Sequence, residues 1–162
     1  MIAALLVTLA LQVPAPPIAA PASAPSTTAP PVAYGAPISL DAAQAIISAA
    51  RDLATRRGFR LAFAVVEPSG ELVAFSRMDD TQYGSIFVAQ RKAETAARYR
   101  LSTSTMEART LAGRTVTLAN ADALPIAGGV PIFFEGRIVG ALGVSGATAV
   151  EDEEVARAAL GL

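Results

Sequence analysis

The 162-residue chain contains neither cysteine nor histidine, which removes disulfides, thiolate and imidazole metal sites, cysteine nucleophiles and Ser-His-Asp triads together. A formal net charge of −1 gives no electrostatic case for nucleic acid. The apolar share is 52%, much of it alanine, and charged residues supply 17%, a composition that describes one domain with a core rather than a membrane protein.

The first 13 residues, MIAALLVTLALQV, form an apolar run too short to span a bilayer. With the small-x-small site Ala20-Pro21-Ala22 they read as a signal peptide over residues 1–22, cleaved after Ala22. Export to the periplasm or beyond is the expectation, with no stable membrane span. No cysteine follows that site, so a lipoprotein anchor is excluded. Residues 23–37 are rich in Pro, Ala, Ser and Thr and are expected to form an unstructured tether. The folded domain is then 38–162.

Within it, Ser39 is placed to cap a helix whose stripe is Leu40, Ala43, Ile47, Ala50 and Ala54, ended by Gly58. Arg60–Glu67 reads as a strand, Pro68-Ser69-Gly70 as a turn and Glu71–Arg77 as its antiparallel partner. Both are nearly continuous in apolar residues, which predicts burial on both faces between helical layers. The loop Met78–Gly84 comes next. Ser85 is expected to cap a helix over 86–99, packed through Ile86, Ala89, Ala93 and Ala97. Ser85, Lys92, Thr95 and Tyr99 fall on a neighbouring stripe, where a lysine would either reach a ligand carboxylate or be solvated. Thr103 is expected to cap a short helix through Leu111, and Thr115–Ala119 to form a short strand.

The segment 128–146, GGVPIFFEGRIVGALGVSG, organises the rest. It reads as a hairpin of Val130–Glu135 and Arg137–Ser145, turning at Glu135-Gly136. In the second strand Val139, Ala141, Gly143 and Ser145 share one face, opposite Ile138, Gly140, Leu142 and Val144. A face of small residues predicts close approach of a helix or ligand. A last helix runs from about Thr148 to Leu160. The helix dipole is sufficient to explain its opening acids, Glu151 to Glu154, with iron binding by Glu151 and Glu154 as the alternative. Gly140-x-x-Gly143-x-x-Gly146 is neither a dinucleotide fingerprint nor a phosphate loop, since no Lys-Ser/Thr pair follows. The residues by themselves describe an α/β pocket protein without an identifiable catalytic set.

Several linked motifs carry a resemblance. Val65-Val66-Glu67-Pro68-Ser69-Gly70 leads to Arg77-Met78-Asp79-Asp80, then Ser85, Lys92-Ala93-x-Thr95-Ala96, Ser102-Thr103, Gly128-Gly129-x-Pro131-Ile132, Gly140–Gly146 and Asp152-x-x-Val155-Ala156. Their order and spacing resemble the HbpS/GlcG-like haem-binding (haem-degrading domain) family over residues 39–161. The resemblance implies an α/β, profilin-like three-layer α/β/α fold with a five-stranded antiparallel sheet, and a homo-oligomer. It places Arg77, Met78, Asp79, Ser85, Lys92, Thr95, Thr103, Gly128, Gly129, Pro131, Ser145 and Gly146 at a ligand pocket. Glu67, Asp80, Ser102 and Ala147 depart from the family pattern.

The resemblance makes haem the leading small-molecule ligand, with Lys92 and Arg77 pairing with its carboxylates. Without histidine, its iron would draw on Tyr83, Met78, Met106, Lys92 or Thr103, or would stay without a strong protein ligand. A second reading is an enzyme of the same fold acting on a small carboxylate, with Lys92 binding the acid and Asp79 or Glu67 as general base. A third is a partner-binding module with no small ligand.

Overall fold

The computed structural model describes residues 30–162. The expected signal peptide, and the tether as far as residue 29, lie outside the described residues. Helix α1 (Leu40–Arg56) begins where the Ser39 side chain accepts a hydrogen bond from Ala42 N, and it buries Ala43, Ile47, Ala50 and Ala54. Strands β1 (Ala62–Val66) and β2 (Leu72–Arg77) form the first antiparallel pair. Helices α2 (Gly84–Tyr99) and α3 (Thr103–Leu111) come next, then the hairpin of β3 (Gly129–Phe134) and β4 (Arg137–Ser145), then α4 (Ala149–Ala159).

The strands form one antiparallel sheet in the order β2-β1-β4-β3. Among the described residues it has four strands, not the five expected. The difference lies beside the first residues of β4, which extend past the end of β1. Val66, the last residue of β1, pairs with Ala141, so Ile138 and Val139 have an open edge there. Residues 33–38 occupy it: Ile138 N donates to Ala33 O at 3.0 Å, Gly35 N to Ile138 O at 2.8 Å and Ile38 N to Val139 O at 2.8 Å. The contact amounts to a single parallel bridge, Tyr34 to Ile138, not a strand. The expected tether is therefore tied down from Ala33 onward.

Helices cover both faces, which gives the three layers. Phe63, Val65, Val130, Leu142 and Val144 pack with α1 and α4. Ala62, Ala64 and Ala141 pack against Ala89, Ala93, Ala96 and Ala97 of α2. This second contact is made almost wholly of small residues, and the helix backbone lies directly on the sheet. A Cβ on Gly143 would overlap the Ala89 carbonyl, and one on Gly129 the Lys92 carbonyl. The small strand face therefore accommodates a helix.

Other local expectations change. β1 is buried throughout, but β2 is an edge strand and is only partly covered. Thr115–Ala119 is a 3₁₀ turn beside α3 with no sheet partner and no buried residue. Ser85 lies inside α2, and the preceding Tyr83 caps nothing with its side chain. Ser102, not Thr103, caps α3 by accepting from Thr105 N. The hairpin turn has φ 48° at Glu135 and 72° at Gly136, the pair of left-handed residues that a two-residue turn of this kind requires. Ile132 pairs with Gly140 and Phe133 with Ile138, so Val139 is an extra residue. This bulge moves Val139 to the α1 side, not the face of Ala141 that strict alternation predicts.

Gly143→Ala should lower stability by about 3 kcal/mol, because neither the α2 backbone nor the central strand can yield. Gly84→Ala, where an added Cβ meets open space, should change it by less than about 1 kcal/mol. Urea denaturation of the two variants checks the contrast.

Candidate functional site

Lys92 is central to the polar interior. It sits on the sheet-facing side of α2 and is 1% exposed. Its Nζ donates to Asp152 Oδ2 at 2.8 Å and to Val144 O at 3.1 Å. Asp152, in the first turn of α4, is 2% exposed, and its Oδ1 accepts from Ala147 N at 3.0 Å. α2 and α4 cover opposite faces of the sheet, so the pair joins the two helical layers past the start of β3. Gly128 makes room for it. It has φ 120°, and a Cβ there would lie 2.8 Å from Lys92 Nζ and 2.7 Å from Val144 O. Burial pushes the Asp152 carboxyl above the usual aspartate value, against the pull of the Lys92 ammonium and the amides of Ala147 and Gly146.

A cavity of about 240 Å³ opens beside the pair. Ser85, Lys92, Ser145 and Asp152 supply its buried polar lining, with Val88 and Ile126 among its apolar groups. Ser145 Oγ donates to Ser85 Oγ at 3.3 Å. Three of the predicted residues thus meet here, and Gly128 shapes the space.

The other glycines and threonines support the backbone. Thr103 Oγ1 accepts from Gly129 N at 2.8 Å, and Thr95 Oγ1 accepts from Leu124 N at 2.9 Å. Pro131 is buried in β3, an edge strand that tolerates its missing donor. Gly146 lets the chain pass Arg60 and Leu61, whose backbone a Cβ would meet.

Arg77, Met78 and Asp79 stand apart. They line a separate polar cleft of about 530 Å³ together with Arg51, Arg60 and Asp80. Arg77 also lies over the Tyr83 ring, 5.4 Å from its centroid. The proposed base Glu67 is in the β1–β2 turn, accepting from Ser69 Oγ at 2.5 Å. Neither Glu67 nor Asp79 lines the Lys92 cavity.

A third cavity, of about 540 Å³, contains none of the predicted residues. It is a groove between the start of α1 and the hairpin tip, walled by Ile38, Ile46, Ile132, Val139, Phe133 and Phe134, with Glu135 and Arg137 at the polar end. Phe133 is 49% and Phe134 65% exposed.

Sequence reasoning missed Asp152 and Glu153. Glu153 Oε2 accepts from Gly128 N at 3.0 Å and its Oε1 from Ser104 Oγ at 2.8 Å. The helix dipole is thus an incomplete account of these two acids. Glu151 does make the capping box with Thr148, and the Thr148 hydroxyl holds its carboxyl below the usual range. The signal was present: Asp152 and Val155 lie at i and i+3, so an acid that continues the apolar stripe of α4 faces inward. Among the described residues, no group of three acids or other ligating side chains is placed to hold a metal.

Two consequences are measurable. The folded Asp152 carboxyl binds its proton more tightly than the ordinary value of 3.8. Its contribution to stability is therefore greatest below that value and declines as pH rises through the folded one. Lys92→Met should cost about 3 kcal/mol near neutrality by leaving Asp152 uncompensated. It should regain part of that at acid pH, where a proton neutralises the carboxyl. Denaturation of both proteins between pH 4 and 8 should show the steeper decline with rising pH in the variant.

The chain resembles known proteins over most of its length. Protein GlcG of Escherichia coli strain K12 is 38% identical over 108 residues, 67% of this chain and 81% of that protein. A double mutant of Streptomyces reticuli HbpS has a TM-score of 0.72 at 31% identity, covering 90% of this chain and 97% of that one. The PduOC:Heme complex has a TM-score of 0.71 at 22% identity, covering 77% and 94% respectively, a likeness of fold. Residues 38–161 match the family described as "Haem degrading protein HbpS-like". From the cap of α1 to the end of α4, this chain belongs to the HbpS-like family.

Proposed function

We propose that this protein is an exported, homo-oligomeric haem-binding protein, and that the ring system lies in the groove at the hairpin tip. The observation that carries the reading is that groove, in a chain of the HbpS-like family. Its volume of about 540 Å³ falls within the range of small-molecule sites. The Lys92 cavity, at about 240 Å³, is too small for a tetrapyrrole. Phe133 and Phe134 offer exposed aromatic faces to a planar ring, and Arg137 offers a guanidinium to a propionate.

The residues present fit the ring better than the iron. Lys92 is held by Asp152, Thr103 is held by Gly129, and Met106 is buried. Glu135 is the acidic oxygen donor of the groove. Bound haem would supply redox chemistry that the chain's own residues lack. Turnover would need an external reductant. The PduOC complex shows that a protein of this fold is crystallised with haem; the residues proposed here are this chain's own.

Oligomerisation is supported by apolar side chains left at the surface, including Leu72 on the β2 edge and Leu111, Val116 and Leu118 around α3. Export is supported by the apolar start and the Ala20-Pro21-Ala22 site.

Haemin titration of the purified protein should give a saturable, shifted Soret band. Phe133→Ser with Phe134→Ser should weaken binding by about tenfold or more, and Arg137→Ala by about fivefold. A flat difference spectrum would remove haem as the ligand. Light scattering should give a particle larger than the 16.5 kDa chain. The intact mass of protein recovered outside the cytoplasm should match cleavage after Ala22.

A further inference from the structure

The Lys92 cavity is not used by the haem reading, yet it is a built polar site. Ser85 is 1% exposed, Lys92 1%, Asp152 2% and Ser145 5%. They converge from α2, β4 and α4. Every buried side-chain nitrogen and oxygen among the described residues has at least one hydrogen-bond partner, but these groups keep unused donor capacity. The Ser145-to-Ser85 hydrogen bond is 3.3 Å, long for two hydroxyls. The Ser85 hydroxyl proton has no acceptor among the described residues. Lys92 Nζ makes two of the three hydrogen bonds it can donate. Asp152, by contrast, has both oxygens occupied. The cavity therefore has spare donors on Lys92 and Ser85, beside a carboxylate already serving as the counter-ion of Lys92. A compact ligand rich in acceptor oxygens would match it, and the neighbouring Val88, Ile126, Ala147 and Ala149 would suit a short alkyl chain.

Charge sets a second condition. Lys92 and Asp152 already neutralise each other, so an anion entering alone would leave a net negative charge in a desolvated space. We propose that this cavity is a second ligand site, for a small monocarboxylate, and that the anion binds together with one proton, which Asp152 receives. The balance is simple. The anion replaces the Asp152 carboxylate as the counter-ion of Lys92, Asp152 becomes a neutral acid, and no covalent bond between heavy atoms changes.

Lys92 is the charged group that faces Asp152. From α3, Ser104 holds Glu153, which is turned to the Gly128 amide. From α1, Arg57 pairs with Glu154. From β4 and the loop after it, Asp152 meets only backbone amides. Its carboxyl is already raised by burial, so it is the group of the site most ready to take the proton.

The test is calorimetric titration of the full chain with acetate and with propionate, with acetamide as the uncharged control. At about pH 5.5, in two buffers of different ionisation enthalpy, the expected result is saturable binding of one carboxylate per chain, with uptake of about one proton. Affinity should fall about tenfold for each unit of pH above the folded Asp152 value. Ser85→Ala, which deletes a hydroxyl and leaves that of Ser145 without its partner, should weaken binding by about tenfold and lower the thermal midpoint by only about a few degrees. Absence of carboxylate heat up to about 50 mM would overturn the site. Binding of equal strength from pH 5 to 8 without proton uptake would overturn the coupling to Asp152. Because the cavity and the groove use different residues, haemin binding is read separately, and failure of one reading leaves the other standing.

Discussion

The fold depends on a lysine that crosses from one helical layer to the other. Lys92 leaves α2, passes the missing side chain of Gly128 and meets Asp152 on α4 at 2.8 Å. An ion pair with both partners this deeply buried contributes little over a well-packed apolar pair, because desolvation opposes the Coulombic gain. Its importance lies in the cost of losing one partner, which strands the other charge in the interior, and in the geometry it imposes. The ammonium also holds Val144 O, near the end of the central strand, and the carboxylate also holds Ala147 N, at the entry to α4. One pair therefore fixes the strand end, the loop and the last helix relative to α2.

That reach is possible because α2 lies so close to the sheet. Alanines face alanines, and Gly129 and Gly143 receive the helix backbone where any Cβ would collide. Dispersion at such close range replaces the large side chains that fill the opposite layer, where Phe63, Leu142 and Val155 pack with α1 and α4. The two sides of the sheet are thus built differently. One is a conventional apolar core, and the other is a tight backbone contact that carries the polar groups of the small cavity.

The two candidate sites lie at opposite ends of β4. Near Arg137 the strand borders a broad apolar groove, and near Ser145 it borders the smaller Lys92 cavity. The groove suits a large flat ligand with peripheral carboxylates, and the cavity suits a compact one. Each demands something the other lacks, namely exposed aromatic area in one case and buried, incompletely satisfied donors in the other. Among the described residues, the family-motif residues do not share a single pocket. Arg77, Met78 and Asp79 line a third space at the end of β2.

Much of this was legible from local chemistry. The hairpin at Glu135-Gly136, the Ser39 cap and the two long helices, the second expected over 86–99 and found from Gly84, arise from turn residues and apolar spacing that act within a few positions along the chain. The small face of β4 correctly announced a close neighbour. The sequence alone also supplied Lys92, Ser85 and Ser145 as a group, through motifs. It did not reveal that Lys92 is paired, because its partner lies 60 positions away and no periodicity encodes such a contact. Nor did it reveal the groove, whose walls come from residues 35–46 and 132–139 and exist only once the open edge of β4 is filled. Composition and local pattern determined the elements and the small-residue contact surface. Tertiary structure decided which buried charges face each other and which apolar side chains remain uncovered, because both are set by meetings between segments far apart in the chain.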